Sequence, residues 1–325
     1  MSGAQRGEGD ASLRGHTVSP LLAWRWFPVV FVTCFLLSWV RTPLGLFVNW
    51  PVAEDSSQLF SFYYGGNQPL SAIFRTYSGY ISLWAQFAAW FAALFPLSVH
   101  LQFYPFLAMS MSTLAAALVP FSGLLRTRWF GCLTAAILAG MPLNAGVYHW
   151  NLTYSQWMAL VAFICLISRL LLRPPGPWAT LALTLLALPF SWSHPYSILL
   201  APFLLLAMVR KNREFHSKAA YVILLLALCL YLTTFQSQEG TRFLRLFLPP
   251  TLSRFFTSLL EDILLFDSLQ SPLPGILIFG TGLIVVAHQY GTKQIKFDQV
   301  CLSALLVAFG SLCLFFVSPK ALIYS

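Results

Sequence analysis

Long apolar runs dominate the chain, and several of them approach or exceed the roughly 18–20 residues needed to cross a bilayer. Hydrophobic residues make up 58% of the sequence and charged residues 9%, with a mean hydropathy of +0.72. The runs are rich in Leu, Phe, Trp and Ala and are interrupted by Pro and Gly, which indicates helices rather than barrel strands. The sequence therefore predicts an all-α, polytopic integral membrane protein.

Polar stretches divide the chain into a tail, a set of spans and two long loops. Residues 1–23 are mainly polar, which predicts a disordered cytoplasmic tail, and 24–325 are predicted to form one transmembrane domain. Its two long external loops cover 47–79 and 236–272. About nine transmembrane helices are expected, near residues 24–46, 103–124, 130–147, 152–170, 178–192, 195–209, 219–235, 273–289 and 299–317.

The segment 80–98 decides the predicted topology, because hydropathy alone would allow it to span. If the tail is cytoplasmic and this segment lies along the outer interface or re-enters, 13 of the 19 Lys and Arg residues are cytoplasmic, as the positive-inside rule requires. If the segment spans instead, only 7 remain inside. A rival with the tail outside and 80–98 spanning gives 12 inside, and it places Glu54 and Asp55 in the cytoplasm. The basic residues of the tail favour the first arrangement, which we expect in a bacterial inner membrane.

Several function classes are disfavoured by what the sequence lacks. It has no phosphate-binding P-loop, no dinucleotide-binding glycine motif, no HExxH zinc motif and no GxSxG nucleophile motif. Its six cysteines show no CxxC spacing. The net charge of +9 is spread over the tail and loops rather than over a basic soluble module, so no nucleic-acid partner is expected.

An acidic pair, Glu54 and Asp55, follows the first apolar run. The chain has only ten acidic residues, and none lies inside a predicted span. A carboxylate beside the outer membrane surface could deprotonate an acceptor hydroxyl, or it could hold a divalent cation such as Mg²⁺ or Mn²⁺. The ordinary alternative is a solvated loop. Adjacent carboxylates point in different directions, so we expect at most one to be catalytic, with Asp55 favoured and Glu54 as its support.

Polar residues at other span ends could complete a surface that binds substrate or carrier. Tyr77 and Tyr80 lie where the first loop meets the apolar segment, while His149 and Asn151 lie between two predicted spans. His194 lies at a tight external turn between two further spans. A single His at such a turn is more often structural, although two histidines and a carboxylate on one face could also ligate a metal.

Three arginines on the external loops could bind a lipid-linked phosphate. Arg75 lies five residues before Tyr80, where its guanidinium could hold phosphate in a bidentate manner or simply extend to the membrane interface. Arg242 and Arg245 are three residues apart, so on a helix they would share one face, with Phe and Leu on the other. Such a helix would contact membrane lipids and could also hold a polyprenyl phosphate by charge.

Three short motifs give the chain a resemblance to a known superfamily. They are Glu54-Asp55, Tyr77-Ser-Gly-Tyr80 and Tyr148-His-Trp-Asn151, followed by a row of short-looped spans. Their order resembles the GT-C superfamily of polyprenyl-phosphate-sugar-dependent membrane glycosyltransferases, in particular an uncharacterised bacterial branch. The resemblance covers roughly residues 25–235, and the chain is shorter than many members.

The resemblance implies a fold, a reaction and residue roles. It implies a GT-C-like transmembrane domain in which Asp55 or Glu54 is the catalytic base or a metal ligand. Arg75, Arg242 and Arg245 would then bind the carrier phosphate. The expected reaction is an inverting transfer of a hexose or pentose from a polyprenyl-phosphate-linked sugar to a glycan, lipid or surface-polymer acceptor on the extracytoplasmic face.

Two other functions stay open. One is a lipid-linked glycan flippase or a non-catalytic assembly subunit of a surface polysaccharide pathway, which would need a continuous polar path through the spans. The other is an acyl or phosphoglycerol transferase with His149 or His194 as its base. The scarcity of polar residues within the spans disfavours the first of these.

Overall fold

The computed structural model describes residues 24–41, 59–64, 68–77, 80–125, 128–140, 151–209 and 214–234. Of these residues, 83% are helical. Three helices are long and apolar enough to cross a membrane, which agrees with a helical membrane protein. The number of spans stays a prediction, because 273–289 and 299–317 lie outside the described residues.

Nine α-helices, three short 3₁₀ helices and a two-stranded hairpin make up the described part of the chain. The hairpin pairs β1 (Thr76–Tyr77) with β2 (Tyr80–Ile81) in antiparallel fashion. Short 3₁₀ helices cover Trp24–Trp26, Leu70–Phe74 and Pro195–Leu200. The α-helices are α1 (Phe27–Arg41), α2 (Ser61–Tyr63), α3 (Leu83–Ala92), α4 (Leu97–Ser122), α5 (Arg128–Gly140), α6 (Ser155–Leu172), α7 (Pro177–Ser191), α8 (Ala201–Val209) and α9 (Phe215–Leu232).

Proline and glycine set several helix ends. Helix α4 starts directly after Pro96, earlier than the predicted 103–124, and stops at Gly123, whose φ of 82° is left-handed. Helix α7 carries Pro177 in its first turn, where the missing N–H costs nothing. The predicted span 195–209 differs most, since it begins as a 3₁₀ helix at Pro195 and becomes α-helical only at Ala201.

Helices α1 and α4 run in opposite directions. At the start of α1, the rings of Trp24 and Phe27 lie 4.9 and 5.6 Å from that of Phe121, near the end of α4. Further along α1, Phe35 lies 6.0 Å from Phe106, which is in the first half of α4. The start of α1 therefore lies beside the end of α4.

The remaining helices alternate in the same way and define two ends of the cluster. Gly123 lies beside Leu172 at the end of α6, and the His216 ring in α9 is 3.2 Å from the Pro175 carbonyl oxygen. We call the side that holds residues 24–27, 121–125, 169–177, 209 and 214–221 the basic end. The opposite side, which holds residues 59–64, 75–77, 80–84, 97–104, 151–156, 192–194 and 231–234, is the Tyr80 end.

Helix α6 lies at the centre of the cluster. Of its apolar stretch 83% is buried, against 39% for that of α9. The buried side chains of α6 pack with those of α4 and α7 in one core that includes Leu118, Phe163 and Ala187. Because α6 is enclosed, the residues in its first turn are held on several sides, and those residues lie at the Tyr80 end.

The predicted interfacial or re-entrant segment 80–98 forms β2, α3, a turn and the start of α4. Helix α3 has ten residues, which corresponds to a length of about 15 Å, half the thickness of a bilayer's hydrocarbon layer. Its buried alanines pack with Tyr63 and Tyr104 in a second core at the Tyr80 end. Its position relative to the membrane stays a prediction.

Candidate functional site

Half of the predicted site residues fall on the described part of the chain, and all of those lie at the Tyr80 end. They are Arg75, Tyr77, Tyr80, Asn151 and His194. The other predicted site residues, Glu54, Asp55, His149, Arg242 and Arg245, lie outside the described residues. The structure therefore brings together residues from three separate predicted loops.

Tyr80 joins the hairpin to the first turn of α6. Its hydroxyl lies 3.0 Å from Nε2 and 3.2 Å from Oε1 of Gln156, which is 76 residues later in the chain. Both side chains are buried. Tyr77 and Tyr80, the first and last residues of the Tyr-x-Gly-Tyr motif, face each other in the β-ladder. Tyr80 thus lies beside residues that follow Asn151.

Hydrogen bonds also tie the start of α3 to the turn after α7. The Leu83 N–H donates to the Trp192 carbonyl at 3.0 Å, and the Trp84 N–H donates to Ser193 Oγ at 3.1 Å. The Ser82 hydroxyl donates to the Ser193 carbonyl at 3.3 Å. The bonds from Leu83 and Trp84 satisfy the first N–H groups of α3, which have no partner within the helix.

The turn before α6 is held by its own polar side chains. Asn151 is fully buried, and its Oδ1 accepts the Tyr154 N–H at 3.0 Å, as Asn commonly does in turns. Trp84 Nε1 donates to Ser155 Oγ at 2.8 Å, and that hydroxyl donates to the Leu152 carbonyl at 2.6 Å. Asn151 therefore holds the turn before α6 in its conformation while its own side chain stays buried.

His194 is buried among aromatic rings. Its ring lies 3.9 Å from Trp157, 5.0 Å from Tyr196 and 6.4 Å from Tyr80, and its Nδ1 accepts the Tyr196 N–H at 3.2 Å. Burial lowers the pKa of His194 to about 3, so the ring is neutral at physiological pH. Since Nδ1 accepts a bond, the proton is on Nε2, and no lone pair is left for a general base. This geometry favours a structural role.

Arg75 presents an exposed cation at the edge of this cluster. Its guanidinium lies 4.0 Å above the Phe62 ring, a cation–π geometry that holds it against the surface. Next to it, the buried Tyr63 hydroxyl donates to Gln86 Oε1 at 2.8 Å and lies 3.1 Å from the Ala72 carbonyl. Burial raises the pKa of Tyr63 to about 12, although the Arg75 charge partly offsets this. Tyr63 is therefore a neutral donor.

Sequence reasoning missed several residues of this end. Ser82 and Gln86 are polar residues of the apolar segment 80–98 that the sequence did not mark as part of the site. The Tyr231 hydroxyl, which donates to the Ile81 carbonyl at 2.7 Å, gave no local signal. His100 was also missed, because the predicted span began after it. It is buried at the start of α4, between the rings of Phe60 at 5.2 Å and Tyr104 at 5.4 Å.

Metal ligands are not grouped in the described part of the chain, where no cluster of three His, Cys, Asp or Glu side chains is present. The predicted Mg²⁺ or Mn²⁺ ligands, Glu54 and Asp55, lie outside it. The described site consists of a buried network of hydroxyl, amide and indole groups with an exposed guanidinium at its edge. Such a surface can bind hydroxyl and phosphate oxygens at its edge without a charged group at its centre.

No protein-family model, curated protein or solved structure matches the chain. The resemblance to the GT-C glycosyltransferases therefore stays a prediction that rests on three short motifs.

Proposed function

We propose that the chain is a membrane glycosyltransferase that moves a sugar from a polyprenyl-phosphate carrier to a glycan or lipid acceptor outside the cytoplasm. The main support is that residues of the second and third motifs, distant in sequence, lie at the same end of the helical cluster. Tyr80 of the second motif contacts Gln156, five residues beyond Asn151 of the third motif. The first motif, Glu54-Asp55, immediately precedes described residues of the same end.

The packing of α1 against α4 supports an external position for the Tyr80 end. In the arrangement with a cytoplasmic tail, α1 and α4 run in opposite directions, and the tail joins the loops that hold most Lys and Arg residues. In the rival arrangement, with 80–98 spanning, the two helices would be parallel. The contacts of Trp24 and Phe27 with Phe121 fit the first arrangement.

The charged residues of the proposed site would each have a role in the transfer. Asp55 would accept the proton of the acceptor hydroxyl, with Glu54 as its support, or the pair would hold a divalent cation. Arg75 would stabilise the departing carrier phosphate, whose negative charge grows in the transition state. Arg242 and Arg245 would add to that stabilisation from the second external loop.

A flippase is less well supported by the described helices. Three hydroxyls within the helices donate to carbonyls of their own helix: Ser112 to Ala108 at 3.2 Å, Ser168 to Ile164 at 2.6 Å and Thr184 to Thr180 at 2.7 Å. In each case the hydroxyl hydrogen is already donated within the same helix, so it does not contribute to a polar path between helices. We therefore prefer transfer to transport.

The decisive experiment measures release of polyprenyl phosphate. Purified protein in lipid nanodiscs receives a panel of polyprenyl-phosphate hexoses and pentoses, with an envelope lipid and glycan extract as acceptor, and the product is measured by mass spectrometry. Asp55→Asn is expected to lower release about hundredfold or more, because a general base contributes that much. Glu214→Gln is the matched control, since this carboxylate is 78% exposed at the basic end.

Two results would contradict the proposal. One is full release by Asp55→Asn, which would remove the base from the mechanism. The other is a wild-type protein that releases no carrier phosphate from any sugar in the panel. An equal loss in Glu214→Gln would show that the assay reports general damage to the protein rather than loss of the base.

A further inference from the structure

His100 is a buried polar residue that the fold leaves unsatisfied. It lies in the first turn of α4, its side chain is 2% exposed, and its Nε2 has no hydrogen-bond partner in the structure as described. The rings of Phe60 and Tyr104 flank it. A buried polar nitrogen without a partner destabilises the fold, because no hydrogen bond offsets its loss of water, so such a group needs an explanation.

Several polar groups at the same end as His100 differ from its Nε2, because they have hydrogen-bond partners within the chain. Within the same end of the cluster, the indole of Trp84, the amide of Gln156 and the hydroxyls of Tyr63 and Ser193 all have partners. Because these polar groups are satisfied within the chain, His100 Nε2 is free to bond a group that a bound molecule supplies. A ligand site commonly combines aromatic walls with one or two polar groups that set orientation.

We propose that His100 Nε2 hydrogen-bonds a hydroxyl of the transferred sugar, while Phe60 and Tyr104 form the apolar walls of that subsite. The inference rests on the proposed glycosyltransferase function and names the part of the donor that this residue contacts. A hydroxyl can both donate and accept, so it fits either tautomer of a neutral imidazole. Phosphate prefers a cationic donor, which Arg75 supplies at the edge of the same end.

The test compares two probes on two variants. The probes are citronellyl phosphate linked to glucose, galactose, mannose or arabinose, and citronellyl phosphate without a sugar. His100→Phe keeps a ring in place but removes both nitrogens, and Arg75→Gln removes the cation. Binding to protein in nanodiscs is measured by calorimetry, and the thermal midpoint of each ligand-free variant is measured alongside.

His100→Phe should weaken binding of the sugar-linked probe that wild type prefers by about tenfold, since one hydrogen bond is worth about that much. Its affinity for citronellyl phosphate alone should not change. Its ligand-free thermal midpoint should equal or exceed that of wild type, because replacing an unpaired polar group with an apolar one is neutral or stabilising. Arg75→Gln should weaken both probes alike.

Other patterns would overturn the assignment. A lower midpoint for His100→Phe with unchanged binding would mean that Nε2 has its partner within the chain. Equal weakening of both probes would separate His100 from the sugar. If wild type distinguishes the probes and His100→Phe does so equally, only the His100 inference fails. If wild type binds the sugar-linked probes no better than citronellyl phosphate, the glycosyltransferase proposal fails and the sugar subsite fails with it.

Discussion

The hydrogen bonds at the two ends of the helical cluster differ in how far apart in the sequence their partners lie. At the Tyr80 end, bonds join residues far apart in sequence, such as Trp84 to Ser155 and Tyr231 to the Ile81 carbonyl. At the basic end, many bonds stay within a turn, as between Arg169 Nη1 and the Arg173 carbonyl at 2.6 Å. One end is thus held by the assembled fold, and the other largely by local chain geometry.

Charge distinguishes the two ends as well. Among the described side chains, Arg25, Arg169, Arg173 and Lys218 lie at the basic end, whereas Arg75 lies at the Tyr80 end. An excess of positive charge is typical of the cytoplasmic side of a membrane protein. The comparison teaches that the end with more of its bonds between distant residues and with fewer cations is where a precise binding geometry is best supported. Three experiments can break or sharpen that contrast.

The largest effect is expected from Gly131 in α5, near the basic end. A Cβ at this position would lie 2.8 Å from Pro120 Cα in α4, too close for backbone to yield easily. Gly131→Val should therefore lower the free energy of unfolding by about 3 kcal/mol, measured in mixed detergent micelles. Gly140→Val in the same helix is the control, because a Cβ there meets nothing within 4 Å. Equal losses in both variants would contradict close packing of α4 and α5.

An effect of intermediate size is expected for the pH dependence of the free energy of unfolding, through His194 at the Tyr80 end. The unfolded residue takes up a proton near pH 6.5, while the folded residue stays neutral to about pH 3. The unfolded state therefore binds more protons between these values, and stability falls as pH drops through this window, by at most about 1.4 kcal/mol per pH unit. The measurement is the free energy of unfolding from pH 7 to pH 5.

His194→Asn provides the comparison for this pH series. An Asn side-chain oxygen can still accept the Tyr196 N–H as a cap, but it does not titrate. The variant should be less stable at pH 7, since it fills less of the space beside Trp157, yet its stability should depend less on pH. The same pH dependence in both proteins would mean that His194 is not held neutral by burial.

The sequence predicted the helices more directly than it predicted the burial of polar residues near them. Apolar periodicity placed α6 and α7 within a few residues, because such runs depend on local composition. The 3₁₀ start after Pro195 was missed, since a hydropathy reading does not register the missing proline N–H. At the site, Tyr80 and His194 were predicted to bind substrate or carrier, but the sequence did not indicate that both side chains are buried. Burial of a polar residue depends on partners such as Gln156 and Trp157, and these come from elsewhere in the chain.

The smallest effect, and the sharpest comparison, comes from two tyrosines on α9. Both are buried and donate to a backbone carbonyl: Tyr231 to Ile81 at 2.7 Å, at the Tyr80 end, and Tyr221 to Leu170 at 2.9 Å, at the basic end. Each Tyr→Phe change should cost about 1 kcal/mol of stability, because one hydrogen bond is lost. Similar losses in overall stability are thus expected from both.

Local stability should separate the two variants. The Tyr231 bond connects α9 to the hairpin, so its loss should speed amide hydrogen exchange in residues 80–84, while Tyr221→Phe should leave that segment as protected as in wild type. Peptide-level exchange followed by mass spectrometry measures this directly. Equal protection of 80–84 in both variants would mean that the hairpin keeps its position without α9, and the Tyr80 end would then not depend on that long-range bond. Faster exchange only in Tyr231→Phe would show that α9 helps to hold the proposed donor site.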